Sequence, residues 1–161
     1  ERRPLDLSEL VARRCQSLEA SREGAVLRLE APAAATVLGD PELVERLVDN
    51  LVGNALKFSP AGTPVEVVVE PGPAGISLQV RDRGPGIPEE ALPRLFERFY
   101  RVPGSPAPGT GLGLALAREI TEWHGAEIRV SSVLGQGSTF TVIFPAPGER
   151  SEVDGAETAG R

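Results

Sequence analysis

The chain has two asparagines and a single lysine, at Asn50, Asn54 and Lys57. Successive residues on an α-helix turn by about 100°, so positions i, i+4 and i+7 share one stripe. Two carboxamide oxygens and an ammonium aimed the same way suit a Mg²⁺–phosphate group. Mg²⁺ prefers hard oxygen ligands and shares phosphate oxygens as ligands, while a lysine gives the phosphates a point charge. Taken alone, the same stripe is what the solvated face of an amphipathic helix shows.

Three glycine-rich segments follow. The first is Asp82-Arg83-Gly84-Pro85-Gly86-Ile87-Pro88. A short carboxylate at a strand end can accept from an exocyclic amino group such as that of adenine. Gly84 and Gly86 would let the backbone approach a flat ring. The second, Gly109-Thr110-Gly111-Leu112-Gly113-Leu114, opens a helical pattern. Free N–H groups at a helix start favour anions, and glycines admit a phosphate. No Gly-Lys-Ser/Thr follows, so it is not a P-loop, and Leu114 breaks the dinucleotide-binding pattern. The third, Gly135-Gln136-Gly137-Ser138-Thr139-Phe140, reads in isolation as a hairpin turn.

These groups need elements to hold them. Apolar residues Leu43, Val44, Leu47, Val48, Leu51, Val52 and Ala55 mark a helix from Pro41 to about Lys57, with Asp40 as N-cap and Pro41 at its first position. Residues 6–22 also have helical spacing, with Asp6 or Ser8 able to cap. Residues 25–30 alternate like a strand, and 31–36 read as a loop. Residues 65–70 and 76–81 predict a hairpin turning on Pro71, Gly72, Pro73 and Gly75. Short helical pieces over 89–100, a Pro/Gly/Ser-rich stretch over 102–110, a helix over 112–123 and strands over 127–132 and 139–144 complete the order. Mixed helices and antiparallel pairs make this an α+β domain, with helices on one face of a sheet.

The bulk numbers fit. The 161 residues suffice for one domain with a core, and 40% hydrophobic with 25% charged is ordinary for a globular chain. A net charge of −6 argues against a nucleic-acid surface. One cysteine, Cys15, permits no internal disulfide and fits a reducing compartment. No apolar run approaches a membrane span and no signal peptide is visible. A start at Glu1 with no methionine reads as a piece of a longer protein.

In order, the chain presents Asn-x-x-x-Asn-Ala-x-Lys, Asp-x-Gly-x-Gly-Ile-Pro, Phe-Glu-Arg-Phe-Tyr-Arg, Gly-Thr-Gly-Leu-Gly-Leu-Ala and Gly-x-Gly-Ser-Thr-Phe. As a set these resemble the N, F and glycine boxes of the catalytic domain of bacterial sensor histidine kinases. The resemblance runs from about Leu5 to Pro145. It implies the Bergerat-type ATP-binding fold shared with gyrase, mismatch-repair and heat-shock ATPases. That is a two-layer sandwich of a mixed, mostly antiparallel sheet against three main helices, with a lid over the nucleotide.

The resemblance also implies roles. Asn54 and Asn50 would hold Mg²⁺, and Lys57 would reach a phosphate. Phe58 stands where many relatives carry Tyr, keeping a ring face without the hydroxyl. Asp82 would bond the adenine amino group, with Gly84, Gly86 and Ile87 lining the base. Phe96 and Phe99 would anchor the lid, Tyr100 would border the pocket, and Arg101 would reach the terminal phosphate. Gly109, Thr110, Gly111, Leu112, Gly113 and Leu114 would wrap the phosphates. Ser138 or Thr139 would join the adenine end through water, Thr139 being placed among the nucleotide-binding residues. The lid, 102–108, holds no Lys or Arg, which leaves Arg101 as the cation on that side. Ala126 replaces a usual glycine without expected harm.

ATPase and serine-kinase relatives carry Glu at the position of Asn50. An amide cannot accept a proton at neutral pH. Poor hydrolysis is therefore expected, with Arg101, Lys57 and Asn50 as the catalytic residues around the phosphates and the nucleophile supplied from elsewhere. The resemblance implies a histidine on a separate dimerisation domain as that nucleophile, and a response regulator as final acceptor. His124, the single histidine, matches the family's His-Gly helix end instead. The expected organisation is a linker helix over 1–24, an ATP-binding catalytic domain over 25–145 and a disordered tail over 146–161. The piece is expected to be a monomer from a homodimeric parent. It is expected in the cytoplasm, whether or not the parent is held at the inner membrane. A nucleotide-holding module without effective transfer and a free-standing ATPase are the other readings.

Overall fold

The computed structural model describes residues 1–104 and 111–146. Strand β1 (Arg3–Asp6) leads into helix α1 (Leu7–Ser21), followed by strands β2 (Leu27–Glu30) and β3 (Thr36–Gly39) and helix α2 (Pro41–Phe58). Strands β4 (Val65–Gly72) and β5 (Gly75–Asp82) form a hairpin. A 3-10 segment (Glu89–Arg94), helix α3 (Gly113–Trp123) and strands β6 (Glu127–Val133) and β7 (Gly137–Phe144) complete the chain. Five strands make one sheet in the order β2-β4-β5-β7-β6, with β2 parallel to β4 and every other pair antiparallel. The three helices lie together on its inner face, giving the two-layer sandwich expected.

Helix α2 is the spine. The Asp40 carboxylate accepts from the N–H groups of Glu42 (3.0 Å) and Leu43 (3.3 Å), satisfying two donors that the first turn leaves open. Val44, Leu47, Val48, Leu51, Val52 and Ala55 are buried against the sheet and the other helices. Each fully buried Val or Leu contributes about 1.5–3 kcal/mol, so this face fixes the rotation of the helix and hence the direction of its polar stripe. Leu51→Ala would cost about 2–5 kcal/mol through the cavity it leaves.

The structure adds local detail to the sequence reading. Within the expected linker helix over 1–24, Leu7, Leu10, Val11 and Cys15 lie in the same core as α2. Of its two candidate caps, Asp6 acts: its carboxylate accepts from Ser8, Glu9 and Ala35, while the Ser8 hydroxyl is buried without a partner. Residues 3–6 and 36–39 form a small antiparallel sheet of their own, β1 with β3. In the hairpin, pairing extends to Gly72 opposite Gly75, which leaves a two-residue turn. The tail from 147 lies outside the described residues. Among the described residues no helix is long and apolar enough to cross a membrane.

Candidate functional site

A cavity of about 790 Å³ opens between the polar stripe of α2 and the ends of β5 and β7. Asn50, Asn54 and Lys57 form its helical wall, with Phe58 at the end of α2. The stripe faces the cavity because the opposite face of the helix is committed to the core.

The far end is built on the sheet. Strand alternation turns Leu78, Val80 and Asp82 of β5 inward, so the strand's apolar face ends in a carboxylate. Asp82 is only 4% exposed. Its Oδ1 accepts from the Gly84 N–H at 2.8 Å, and the Ser138 backbone N–H also bonds it. Burial pushes its pKa up, and the two N–H bonds offset only part of that rise. Ile87, Leu95, Leu114 and Phe140 line the cavity with it. An apolar slot with one buried acceptor suits a flat heterocycle carrying an amino donor.

A serine network fixes this end. Ser132 Oγ accepts from the Ile87 N–H (2.7 Å) and donates to the Gly137 carbonyl (3.0 Å). Its single proton is thereby used, so Ser138 Oγ is the donor across the 2.9 Å contact between the two hydroxyls. Gly86 sits at φ +78°, and a Cβ there would lie 2.4 Å from the Val133 carbonyl oxygen. The glycine is what lets the loop after β5 lie against the β6–β7 turn. Gly84 is buried beside the Phe58 carbonyl and shapes the loop without itself lining the cavity.

The third wall comes from the segment before α3. Tyr100, Arg101, Val102, Pro103 and Gly104 line it on one side of residues 105–110, and Gly111, Gly113 and Leu114 on the other. The Phe99 N–H donates to the Gly111 carbonyl at 3.0 Å and ties the two flanks together. Gly111 has φ +78°, and a Cβ would lie 2.7 Å from the Phe99 carbonyl carbon. Phe96 packs edge-to-face on Phe140 at 6.3 Å. Phe99 differs: it has φ +66°, its ring is 71% exposed, and it anchors through its backbone. The Arg94 guanidinium lies over the Tyr100 ring at 4.5 Å. Among the described residues no side chain caps α3, and Gly113 at its start faces Asn50. An uncapped helix start beside two carboxamides and a lysine is a place for anionic oxygens.

The cavity thus brings together Asn50, Asn54, Lys57, Phe58, Asp82, Gly86, Ile87, Tyr100, Arg101, Gly111, Gly113 and Leu114. Thr139 is not among them. Register pairs it with Arg81, whose Nε donates to its hydroxyl at 3.4 Å, and alternation puts Ser138 in the cavity instead. Leu112 faces a neighbouring hollow of about 370 Å³ lined also by Asn50, Arg98, Leu116 and Glu119. Gly109 and Thr110 lie outside the described residues. His124 lies away from the cavity and is 2% exposed. Its Nε2 accepts from the Asp40 N–H at 3.0 Å, so Nδ1 carries the proton and donates to the Ile120 carbonyl at 2.8 Å. Burial lowers its pKa. Sequence reasoning missed Leu18 and Arg22 of the α1 end and Leu134 of the β6–β7 turn, all lining the cavity.

The donor set fits a Mg²⁺ that arrives with its phosphates. Among the described residues no group of three or more His, Cys, Asp or Glu could hold a metal alone, whereas Asn50 and Asn54 offer neutral oxygens to a partly hydrated ion.

Known proteins match this arrangement. Residues 39–148 match the family described as histidine kinase-, DNA gyrase B-, and HSP90-like ATPase. The chain is 40% identical over 121 residues to the swarming motility regulation sensor protein RssA of Serratia marcescens, covering 74% of this chain and 26% of that protein. It is 34% identical over 165 residues to the aerobic respiration control sensor protein ArcB of Escherichia coli, covering 97% of this chain and 21% of that protein. The chain therefore spans about a fifth to a quarter of these two curated relatives. The solved mycobacterial sensor histidine kinase MprB superposes with a TM-score of 0.82 at 30% identity, covering 89% of this chain and 97% of that one. With the fold, the stripe and the buried carboxylate in place, the chain belongs to the histidine kinase-, DNA gyrase B- and HSP90-like ATPase family, as an ATP-binding catalytic domain of the histidine-kinase type.

Proposed function

We infer that this domain binds Mg·ATP and donates its γ-phosphate to a histidine on a separate dimerisation domain, from which a response regulator takes it. One observation carries the reading: a buried acceptor, Asp82, and the Asn50–Asn54–Lys57 stripe line a single cavity. Asp82 accepts from the adenine amino group while Ile87 and Phe140 border the ring. Lys57 and Arg101 place positive charge on the phosphates. Asn50 and Asn54 would hold the ion through their amide oxygens, and a bound Mg²⁺ would supply positive charge to the phosphate oxygens.

Asn50 cannot take a proton, so a water in the cavity stays a poor nucleophile. The neighbouring hollow shares Asn50 with the nucleotide cavity and offers an approach for the acceptor imidazole. Its nitrogen bonds to the γ-phosphorus as the bond to the ADP oxygen breaks, and its proton passes to a base on the acceptor's own domain. The parent is proposed as a homodimer, with this domain on the cytoplasmic side. A nucleotide-holding regulatory role is the second reading, favoured by Phe58, which offers no hydroxyl to the site.

The test has two stages. Calorimetric titration with ATP, with and without Mg²⁺, should show Mg²⁺-dependent binding at micromolar to sub-millimolar levels, about −8 to −5 kcal/mol. Labelled ATP with the histidine domain supplied should then label its histidine. Binding without label would leave the regulatory reading, and steady phosphate release from this chain alone would favour the ATPase.

A further inference from the structure

We propose that Arg22, at the end of α1, is a phosphate-binding residue of this site, a cation brought to the nucleotide's polyphosphate from the opposite flank to the lid. This rests on the nucleotide reading above and adds a residue that lies outside all five sequence motifs.

The argument starts from the rotation of α2. At about 100° per residue, Asn54 falls some 40° to one side of Asn50, toward Phe58 and the sheet. Lys57 and Gly53 fall some 20° and 60° to the other side. Asp82 closes the first flank, and the end of α1 closes the second. Leu18 and Arg22 both line the cavity there. The Arg22 Nη1 donates to the Gly53 carbonyl at 3.4 Å. In the helix that carbonyl also takes the Lys57 N–H, so the guanidinium is parked one turn from the lysine.

Three features leave Arg22 available to a ligand. Its contact with Gly53 is long and exposed, which makes it weak and easily exchanged. The guanidinium keeps four further N–H donors, enough for a bidentate grip on a phosphate. The space above Gly53 is clear, since a Cβ there would meet nothing within 4 Å. A carboxylate that also lines the cavity, Asp49, is already committed, taking two bonds from Arg14 at 2.8 and 2.9 Å. Among the described residues the cations lining the cavity are Arg22, Lys57 and Arg101. They come from α1, α2 and the segment before α3, so they can surround a polyanion.

The experiment is calorimetry of this chain with Mg·ATP and with adenosine, comparing wild type, Arg22→Gln and Arg22→Lys, with thermal midpoints as a fold control. Arg22→Gln should weaken ATP binding about tenfold, the scale of one charge-assisted bond, and adenosine binding by less than about twofold. Arg22→Lys should recover most of the loss by keeping the charge. Unchanged ATP affinity in Arg22→Gln, or equal losses for ATP and adenosine, overturns the role of Arg22 while leaving the nucleotide site intact. A wild-type chain that binds neither ligand removes the nucleotide reading and this inference with it.

Discussion

Asp82 on β5 and Ser138 on β7 are register partners, and the Ser138 backbone N–H bonds the Asp82 carboxylate. The sheet ladder itself therefore aims the one buried acid of the cavity.

Asp82→Asn separates binding from stability. The amide turns one acceptor into a donor, so ATP affinity should fall ten- to hundredfold, as for the loss of a hydrogen bond to a charged group. Burial raises the carboxyl's folded pKa above its ordinary 3.8. The fold therefore favours the protonated acid below that value, and the advantage is lost as pH rises through the folded pKa. At pH 7 the ionised form is a burden that the amide removes. The variant should melt higher than wild type at pH 7, with the difference shrinking below pH 4. Wild-type ATP affinity in this variant would take Asp82 out of base recognition.

Gly111→Ala tests the join between the two flanks of residues 105–110. Alanine disfavours φ +78°, and its Cβ would sit 2.7 Å from Phe99 backbone. We expect a stability loss of about 1–3 kcal/mol in urea denaturation, together with weaker ATP binding. A variant with unchanged affinity would show that the join does not shape the phosphate end.

His124 sets a pH dependence. Its folded pKa lies below the ordinary 6.5 through burial, with Arg2 lowering it further and the Ile120 carbonyl and Asp40 opposing. Its contribution is therefore fully present above about pH 6.5 and is lost as pH falls through the folded value. Urea denaturation of wild type should show stability climbing with pH up to that point. His124→Leu should flatten this window and cost about 1 kcal/mol, because the half-buried Asp40 N–H loses its acceptor. Phosphotransfer by a folded His124→Gln chain should persist, since this ring faces the core.

Cys15 should be inert. Burial pushes its thiol up to about 11, so almost no thiolate exists at pH 8. Ellman's reagent should titrate it only after denaturant is added. Fast reaction of the native chain would mean that α1 opens from the core.

Much of this was readable from the sequence, for physical reasons. Helix α2 carries a long, strongly periodic apolar face with both ends marked, so its rotation and its stripe follow directly. The choice between Ser138 and Thr139 did not follow. A one-residue shift of register exchanges the two faces of a strand, and only the pairing with β5 settles it. β1 and β3 were invisible because four residues give too little alternation to count. Arg22 lies outside every motif, and only the packing of α1 along α2 brings it to the cavity.

Asp82 ends the middle strand of the five-stranded sheet. Central strands tend to open last, so the base end should survive the partial openings that release edge strands or the end of α1. Any ligand gripping Asp82 then couples to complete unfolding rather than to local fraying. At a hundred times its dissociation constant, such a ligand would add about 2.7 kcal/mol to the whole domain and slow amide exchange even in strands it never touches.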